Sequence, residues 1–373
     1  MTATDDPLAL LVREPLRAAA AYQVPHPEGI RVKLDANEMP FGLPPEVRAE
    51  LARELATVAL NRYPDPSHQE LRAELSRQVG LPIDALLVGN GSDEIIQMLI
   101  TCFAEPRPGQ ARARVAYPSP TFVVFRGAAL AVGCEPVEIP TDPEADFALQ
   151  PDDLERAIAA ARPNLVFFAR PNNPTGTLWP SHLVADLARR HPDLVVVSDE
   201  AYAAYAGDGM VAMLPELPNL FVMQTLSKVG LAGLRVGYLC GRPDLIAEIG
   251  KVRAPYNVGA LNQRAALWIL RHHRALLLRG CADVVVERER LAAALDQLAD
   301  LRVFTSRANL ILFRVGRPGD GRATRVWQRL CERGVLIKNF DRPGPLSGCL
   351  RVTIGTAEEN EIFLAALGEA LTA

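Results

Sequence analysis

Between about residue 84 and residue 240 the chain alternates short apolar, β-branched runs with segments of helical period, and this alternation limits the fold more than any other feature. "ARVAYP", "CEPVEIP", "NLVFFARP", "LVVVSDE", "NLFVMQT" and "RVGYLCG" read as strands, while "DDLERAIAAA" and "SHLVADLARRHP" carry apolar residues at helical spacing. Strands with almost no polar alternation, separated by helices, belong to a largely parallel sheet covered on both faces. Such sheets bind ligands beyond the carboxyl ends of their strands. Three polar clusters fall there: "RPNNPTG", "SDEAY" and "TLSK" each follow a strand, so three strand ends converge on one crevice.

After about residue 260 the pattern changes. "ALNQRAALWILRHHRALLLRGCADVVVERERLAAALDQLAD" reads as one long helix or two consecutive ones, with Gly280 as the candidate interruption. Then come "ANLILFRV", a helix "ATRVWQRLCERG", "VLIKNF", "CLRVTIG" and a terminal helix, a mixture that suggests a smaller α+β unit. The expected division is a large domain over 36–262 and a small one made of 1–35 and 263–373, with the segment before residue 35 packed on the small one.

Composition excludes several classes. A formal charge of −4 with no basic block argues against nucleic acid as a partner. The six cysteines are scattered without a CxxC pair, as in a reducing compartment. "MTATDDPLAL" lacks the basic and apolar regions of a secretory signal, and no stretch is apolar and long enough to span a bilayer, so the expected location is the cytoplasm, away from membranes. No histidine spacing suggests a metal site, and His272 and His273 read as structural.

The chemistry centres on Lys228, in "TLSKVGLAGLRVGY". Alone it would be an ordinary surface lysine, as Asp199 would be a helix cap, Asn173 a turn former and Phe122 core. A lysine does covalent work when a carbonyl partner is held beside its neutral amine. Pyridoxal 5'-phosphate is such a partner, and it asks for a carboxylate at its pyridine nitrogen, donors at its phenolic oxygen, a flat apolar face and a phosphate cradle. Asp199 is placed to serve the ring nitrogen, and Asn173 and Tyr202 the phenolic oxygen. Phe122 offers the stacking face. "VGNGSDEIIQMLI" is a Gly-rich turn into a helix, so the amides of Gly91, Ser92 and Asp93 could cradle phosphate, Asp93 contributing main chain and helix capping rather than its carboxylate. Thr225, Ser227 and Arg235 flank the lysine and complete the cup.

With these residues in order, the chain resembles the fold-type I pyridoxal-phosphate-dependent aminotransferases and, among them, the histidinol-phosphate aminotransferase group. The resemblance runs through "LDANEMPFG", "NRYPDP", "GNGSDE", "YPSPTF", "RPNNPTG", "SDEAY", "TLSKVGLAGLRVGY" and "CLRVTIGT". It implies an α/β fold with a large, mostly parallel sheet domain and a smaller α+β domain. It also implies transfer of an amino group from L-histidinol phosphate to 2-oxoglutarate, giving imidazole acetol phosphate and glutamate, in histidine biosynthesis. Lys228 would carry the cofactor covalently and shuttle the proton, with Asp199 and Tyr202 as its catalytic partners. Tyr63 would reach the cofactor phosphate of a neighbouring subunit in a homodimer. Arg351, with Lys338, Tyr22, Asn37 and Asn173, would bind substrate. The chain departs from the group in a lysine–arginine spacing one residue shorter than in many members, in Met39 where Asn is usual, in Lys338 where some carry a second arginine, and in Phe122 where some carry tyrosine.

Other readings differ in what they leave unexplained. "VGNGSDE" suggests a dinucleotide-binding turn, but Glu94 stands where the third glycine of that motif belongs, and Lys228 then has no task. A non-catalytic binding protein on the same fold has no need of the Lys228–Asp199 pair. Within the same fold, threonine-phosphate decarboxylase and aromatic amino acid aminotransferase are the alternatives.

Overall fold

The computed structural model describes residues 7–18 and 27–372. Its twelve strands are β1 (Val32–Leu34), β2 (Leu86–Gly89), β3 (Arg114–Ser119), β4 (Glu135–Pro140), β5 (Leu165–Ala169), β6 (Val195–Asp199), β7 (Leu220–Thr225), β8 (Gly237–Cys240), β9 (Leu301–Val303), β10 (Leu310–Val315), β11 (Val335–Asn339) and β12 (Cys349–Thr353). Seven of them form one sheet in the order β2-β8-β7-β6-β5-β3-β4, parallel except for β8, which runs against both neighbours. The expected strands are all present, and the sheet is parallel where the apolar runs are most continuous.

Its residues alternate between two apolar layers. Val197, Phe221, Met223 and Leu239 pack with Ile95, Leu99 and Phe125 on one face. On the other face Val196, Val222 and Cys240 pack with Leu71, Leu187 and Ile269. Helices therefore cover both faces, and ligands reach such a sheet at the carboxyl ends of its strands. That is where the three polar clusters emerge.

The second sheet has five strands in the order β1-β11-β12-β10-β9. All its pairings are antiparallel except β1 with β11, where Val32 pairs with Val335. The helix Arg322–Glu332 lies against it with Val326 and Leu330 buried, and the terminal helix contributes Phe363 and Leu367.

One expectation needs correction. The long helical run is indeed two helices, Ala260–His272 and Arg274–Asp296, but it breaks at His273 and not at Gly280. Leu277, Cys281, Val284, Arg288, Leu291 and Leu295 form one buried stripe that passes straight through Gly280, and its burial outweighs the roughly 1 kcal/mol helix penalty of a glycine. Both histidines rest against Trp268. Residues 32–34 join the smaller sheet, whereas Arg13 reaches the carbonyl of Ala131 at the end of the Val123–Val132 helix, on the larger one.

Candidate active site

The amino end of the Gly91–Cys102 helix meets the start of β8 in a tight backbone contact. A side chain on Gly237 would put its Cβ 2.8 Å from the carbonyl carbon of Gly91, and one on Gly91 would meet the Arg235 guanidinium at 2.6 Å. Gly91 also has φ +77°, a left-handed conformation that glycine adopts without strain. Without side chains at these two glycines the helix start lies close against Arg235 and β8, and Ser92 lines the cavity beside Ser227 and Arg235. The Ser227 amide donates to Thr225 Oγ1 (3.2 Å), and Arg235 donates from Nη1 to Ser227 Oγ (3.2 Å).

Arg235 reaches this cup despite the short connection from Lys228 because its own backbone is left-handed, at φ +50°. Asp93 behaves otherwise than expected. It makes no helix cap; its carboxylate pairs with Arg235 Nη2 at 3.1 Å, and Glu94 instead accepts the Asn90 N–H. The cup thus holds a guanidinium already half-neutralised by a carboxylate that an arriving dianion would displace or compete with.

Asp199 ends β6, between Ala169 of β5 and Met223 of β7. It is buried, and loss of hydration pushes its carboxyl up to about 7, helped by Asp93 and Glu200 and opposed by the Ala201 N–H bond and Lys228. A buried carboxyl with this poise favours a cationic partner. Lys228 follows β7 on a single helical turn, its Nζ donating to the Ala36 carbonyl (3.4 Å) and lying 5.8 Å from the Tyr202 ring centre. The Tyr205 hydroxyl donates to the carbonyl of Lys228, fixing the main chain beneath the amine.

The facing wall comes from the smaller sheet and the segment after β1. Asn37, left-handed at φ +55°, donates from Nδ2 to the Tyr202 hydroxyl (2.8 Å), and its own N–H donates to Thr353 Oγ1 (2.9 Å). Arg351, on β12, donates to Asn173 Oδ1 and to the Asp35 carbonyl, both at 2.5 Å. Lys338 stands opposite Arg351 in the β11–β12 register, and burial, then Arg351, lowers its pKa. The enclosed cavity measures about 200 Å³. Asn37, Ser92, Asp93, Phe122, Asn173, Asp199, Tyr202, Thr225, Ser227, Lys228, Arg235 and Arg351 all line it.

The aminotransferase class I and II family profile matches residues 30–367. Histidinol-phosphate aminotransferase 2 of Cupriavidus pinatubonensis is 42% identical over 367 residues, covering 97% of this chain and 96% of that protein. The chain belongs to the aminotransferase class I and II family. Among solved structures, the histidinol-phosphate aminotransferase of Sinorhizobium meliloti in complex with pyridoxal-5'-phosphate superposes with a TM-score of 0.82 at 23% identity, covering 96% of this chain and 97% of that one. The L-threonine-O-3-phosphate decarboxylase of Porphyromonas gingivalis reaches a TM-score of 0.77 at 22% identity, over 92% of this chain and 100% of that one. Shape alone therefore establishes the fold and leaves the reaction to the site.

In this aminotransferase some anticipated residues lie away from the cavity wall. Tyr63 is 80% exposed and stacks on Tyr256 at 4.4 Å between ring centres. Lys338 is next to Arg351 without lining the cavity, and Gly91 acts through the backbone contact just described. Tyr22 lies outside the described residues. Four lining residues escape a reading for reactive side chains: Asp35, Ala36, Ala169 and Ala201. Ala36 acts through its carbonyl, and the alanines leave room for a flat ring. The one available signal was their adjacency to Asn37, Arg170 and Asp199 in the quoted motifs.

Proposed function

We propose that this chain is a histidinol-phosphate aminotransferase, moving the amino group of L-histidinol phosphate to 2-oxoglutarate in histidine biosynthesis, with pyridoxal 5'-phosphate as cofactor. The observation that carries the reading is the meeting of Lys228, Asp199 and the Gly91–Ser227–Arg235 cup in one cavity, in a chain 42% identical to a protein of that name.

The residues present fit the cofactor. The helix start at Gly91 and Ser92, with Thr225, Ser227 and Arg235, would hold its phosphate. Asp199 would face the pyridine nitrogen and, beside that cation, remain ionised near neutral pH although it rises to about 7 alone. Asn173 and Tyr202 would hold the phenolic oxygen, with Phe122 and Ala201 on the walls. When bound, the cofactor supplies a carbonyl that amines condense with and a ring that takes up an electron pair.

The protein does the rest. Lys228 Nζ would take the proton from the amine-bearing carbon of the substrate as a base and then, as an acid, give it up to the carbon that came from the cofactor's carbonyl. Arg351 binds the substrate's anionic end, supported by Asn37 and Asn173, with Lys338 adding positive charge and Tyr22 as a further contact. Because histidinol phosphate carries a phosphate and glutamate an α-carboxylate, one planar guanidinium has to accept both. We further read the chain as a cytoplasmic homodimer, with a large domain over 36–262 and a small one over 1–35 and 263–373, in which the exposed Tyr63 serves the neighbouring subunit's cup.

A half-reaction panel tests the substrate. Purified enzyme loaded with cofactor should be converted fastest by histidinol phosphate, over phenylalanine, tyrosine and threonine phosphate. Preference for an aromatic amino acid, or carbon dioxide release from threonine phosphate, would overturn it. Mixing Tyr63→Phe with Lys228→Ala subunits tests the sharing, since heterodimers should regain one intact site.

A further inference from the structure

Asp199 is followed in the chain by a second buried carboxylate that the reaction does not use. Along β6, Val197 and Asp199 point to one face of the sheet and Val196, Ser198 and Glu200 to the other. Glu200 is 3% exposed and lies on the face away from the cavity. Its carboxylate accepts the Met210 N–H (2.6 Å), Gln224 Nε2 (2.9 Å) and Ser198 Oγ (3.3 Å). Arg170 Nη1 stands 4.0 Å away, at ion-pair distance without a hydrogen bond, while its Nε donates to the Trp179 carbonyl (2.7 Å) and Nη2 to Asp208 (2.9 Å). Arg170 is wholly buried, and its own amide donates to the Asp199 carbonyl at 2.7 Å.

Burying two charges costs several kcal/mol apiece before pairing, so a purely structural role would be served as well by apolar residues of similar volume. Burial pushes the Glu200 carboxyl up from its ordinary range, while the three donors and the nearby guanidinium oppose that shift and hold the group in place. The group held is bonded directly to Asp199 through one peptide link. We propose that Glu200, held by the Met210, Gln224 and Ser198 donors beside Arg170, is a positioning residue that fixes the turn carrying Asp199 and Tyr202 and, in its ionised form, places a negative charge behind Asp199. This rests on the reading of Asp199 as the partner of the pyridine nitrogen.

The direction of the effect follows from the groups around Asp199. Lys228 and, farther along the cavity, Arg235 and Arg351 favour its ionised form, while Asp93 and Asp35 share the cavity with the opposite sign. Glu200 adds repulsion from behind the sheet. That repulsion disfavours the empty, ionised site and strengthens attraction for a cationic ring nitrogen. Glu200 thus trades ease of ionisation in the empty protein for a firmer grip on the protonated ring.

The test reads Asp199 in the cofactor-free protein. Carboxyl carbon NMR on the aspartate-labelled chain, assigned with Asp199→Asn, gives its titration midpoint. Glu200→Gln, which keeps the shape and removes the charge, should lower the midpoint by about one pH unit, whereas Glu200→Asp should leave it near the wild-type value. In the loaded enzyme, Glu200→Gln should also shift the pH titration of the visible cofactor band downward. A midpoint unchanged within about 0.3 unit in Glu200→Gln would overturn the inference. Should Glu200→Gln not fold, Asp208→Asn keeps it open to refutation. Asp208 is partly exposed, and losing it frees Arg170 to neutralise Glu200, so the midpoint must again fall; no shift overturns the inference. Borohydride trapping of the cofactor on Lys228 separates the two ideas: no trapping defeats the functional reading, and trapping without a midpoint shift defeats this one alone.

Discussion

The two walls of the cavity are built in different ways. On the seven-stranded side, Asn173, Asp199 and Thr225 sit at or just beyond the ends of adjacent parallel strands, so their spacing is set by the sheet ladder itself. On the five-stranded side, Asn37 and Arg351 reach across from an irregular segment and a separate sheet, and meet the first wall through side-chain bonds to Tyr202 and Asn173. The first wall is rigid because moving one group would break a ladder. The second depends on a few polar contacts that a substrate can replace. On the proposed function, reaction chemistry belongs to the fixed wall and substrate discrimination to the adjustable one.

The most severe break is on the fixed wall. Lys228→Ala should lower turnover by about 10^4-fold or more, since the amine that moves the proton is gone. The cup residues are untouched, so cofactor should still bind without covalent attachment. Single-turnover absorbance and borohydride trapping measure both, and near-normal turnover would remove Lys228 from its role.

Asp199→Asn comes next, with a loss of roughly 10²–10³-fold in turnover, as for removal of one preorganised electrostatic group. It also has a signature in the empty protein. The carboxyl is raised by burial from its ordinary range near 4 to about 7, so the folded state binds more protons than the unfolded between those values. Its contribution to stability is therefore full below about pH 4 and lost as pH rises through about 7. His68, buried and lowered to about 4, works in the other direction, favouring the fold more as pH rises from about 4 to 6.5. Comparing melting curves of wild type and Asp199→Asn cancels the histidine, and the variant should gain relative stability as pH rises from 4 to 8. A constant difference would show that Asp199 is ionised throughout.

Milder changes probe the adjustable wall. Arg351→Lys keeps the charge but loses the two-pronged geometry, and should slow both half-reactions about 10–100-fold. Equal rates in the variant would mean that charge alone is read there. Smallest of all, Lys338→Ala should weaken histidinol phosphate a few-fold and glutamate less, because a dianion gains more from a second positive charge. Single-turnover constants on the two substrates decide it.

The same division governs what could be read from the sequence. Fixed-wall residues follow strands that are legible as apolar runs, so Asn173, Asp199, Tyr202 and Lys228 announce themselves by position. The ion pair of Asp93 with Arg235 was not legible, because it depends on a left-handed backbone at Arg235 that nothing in "GLAGLRVGY" requires. Arg170 and Glu200 lie thirty residues apart and meet only once β5 and β6 are aligned. The alanines of the wall carry no group by which to find them. Gly280 misleads because a glycine signals a break, whereas the buried stripe around it holds the helix together.

The pairing of β1 with β11 bears on how the chain comes to be folded at all. The turn carrying Lys228 closes between neighbouring strands, β7 and β8, soon after both have been made. Val32 must wait for Val335, and Arg351 is later still. During synthesis the seven-stranded wall can therefore assemble while the five-stranded wall is unfinished, with the early strand held in reserve and its edge unpaired. Contacts so distant in sequence are slow to form. A truncated or stalled chain would carry a nearly complete cofactor cup and an exposed β1, a combination that binds cofactor, turns over nothing and invites association through that edge.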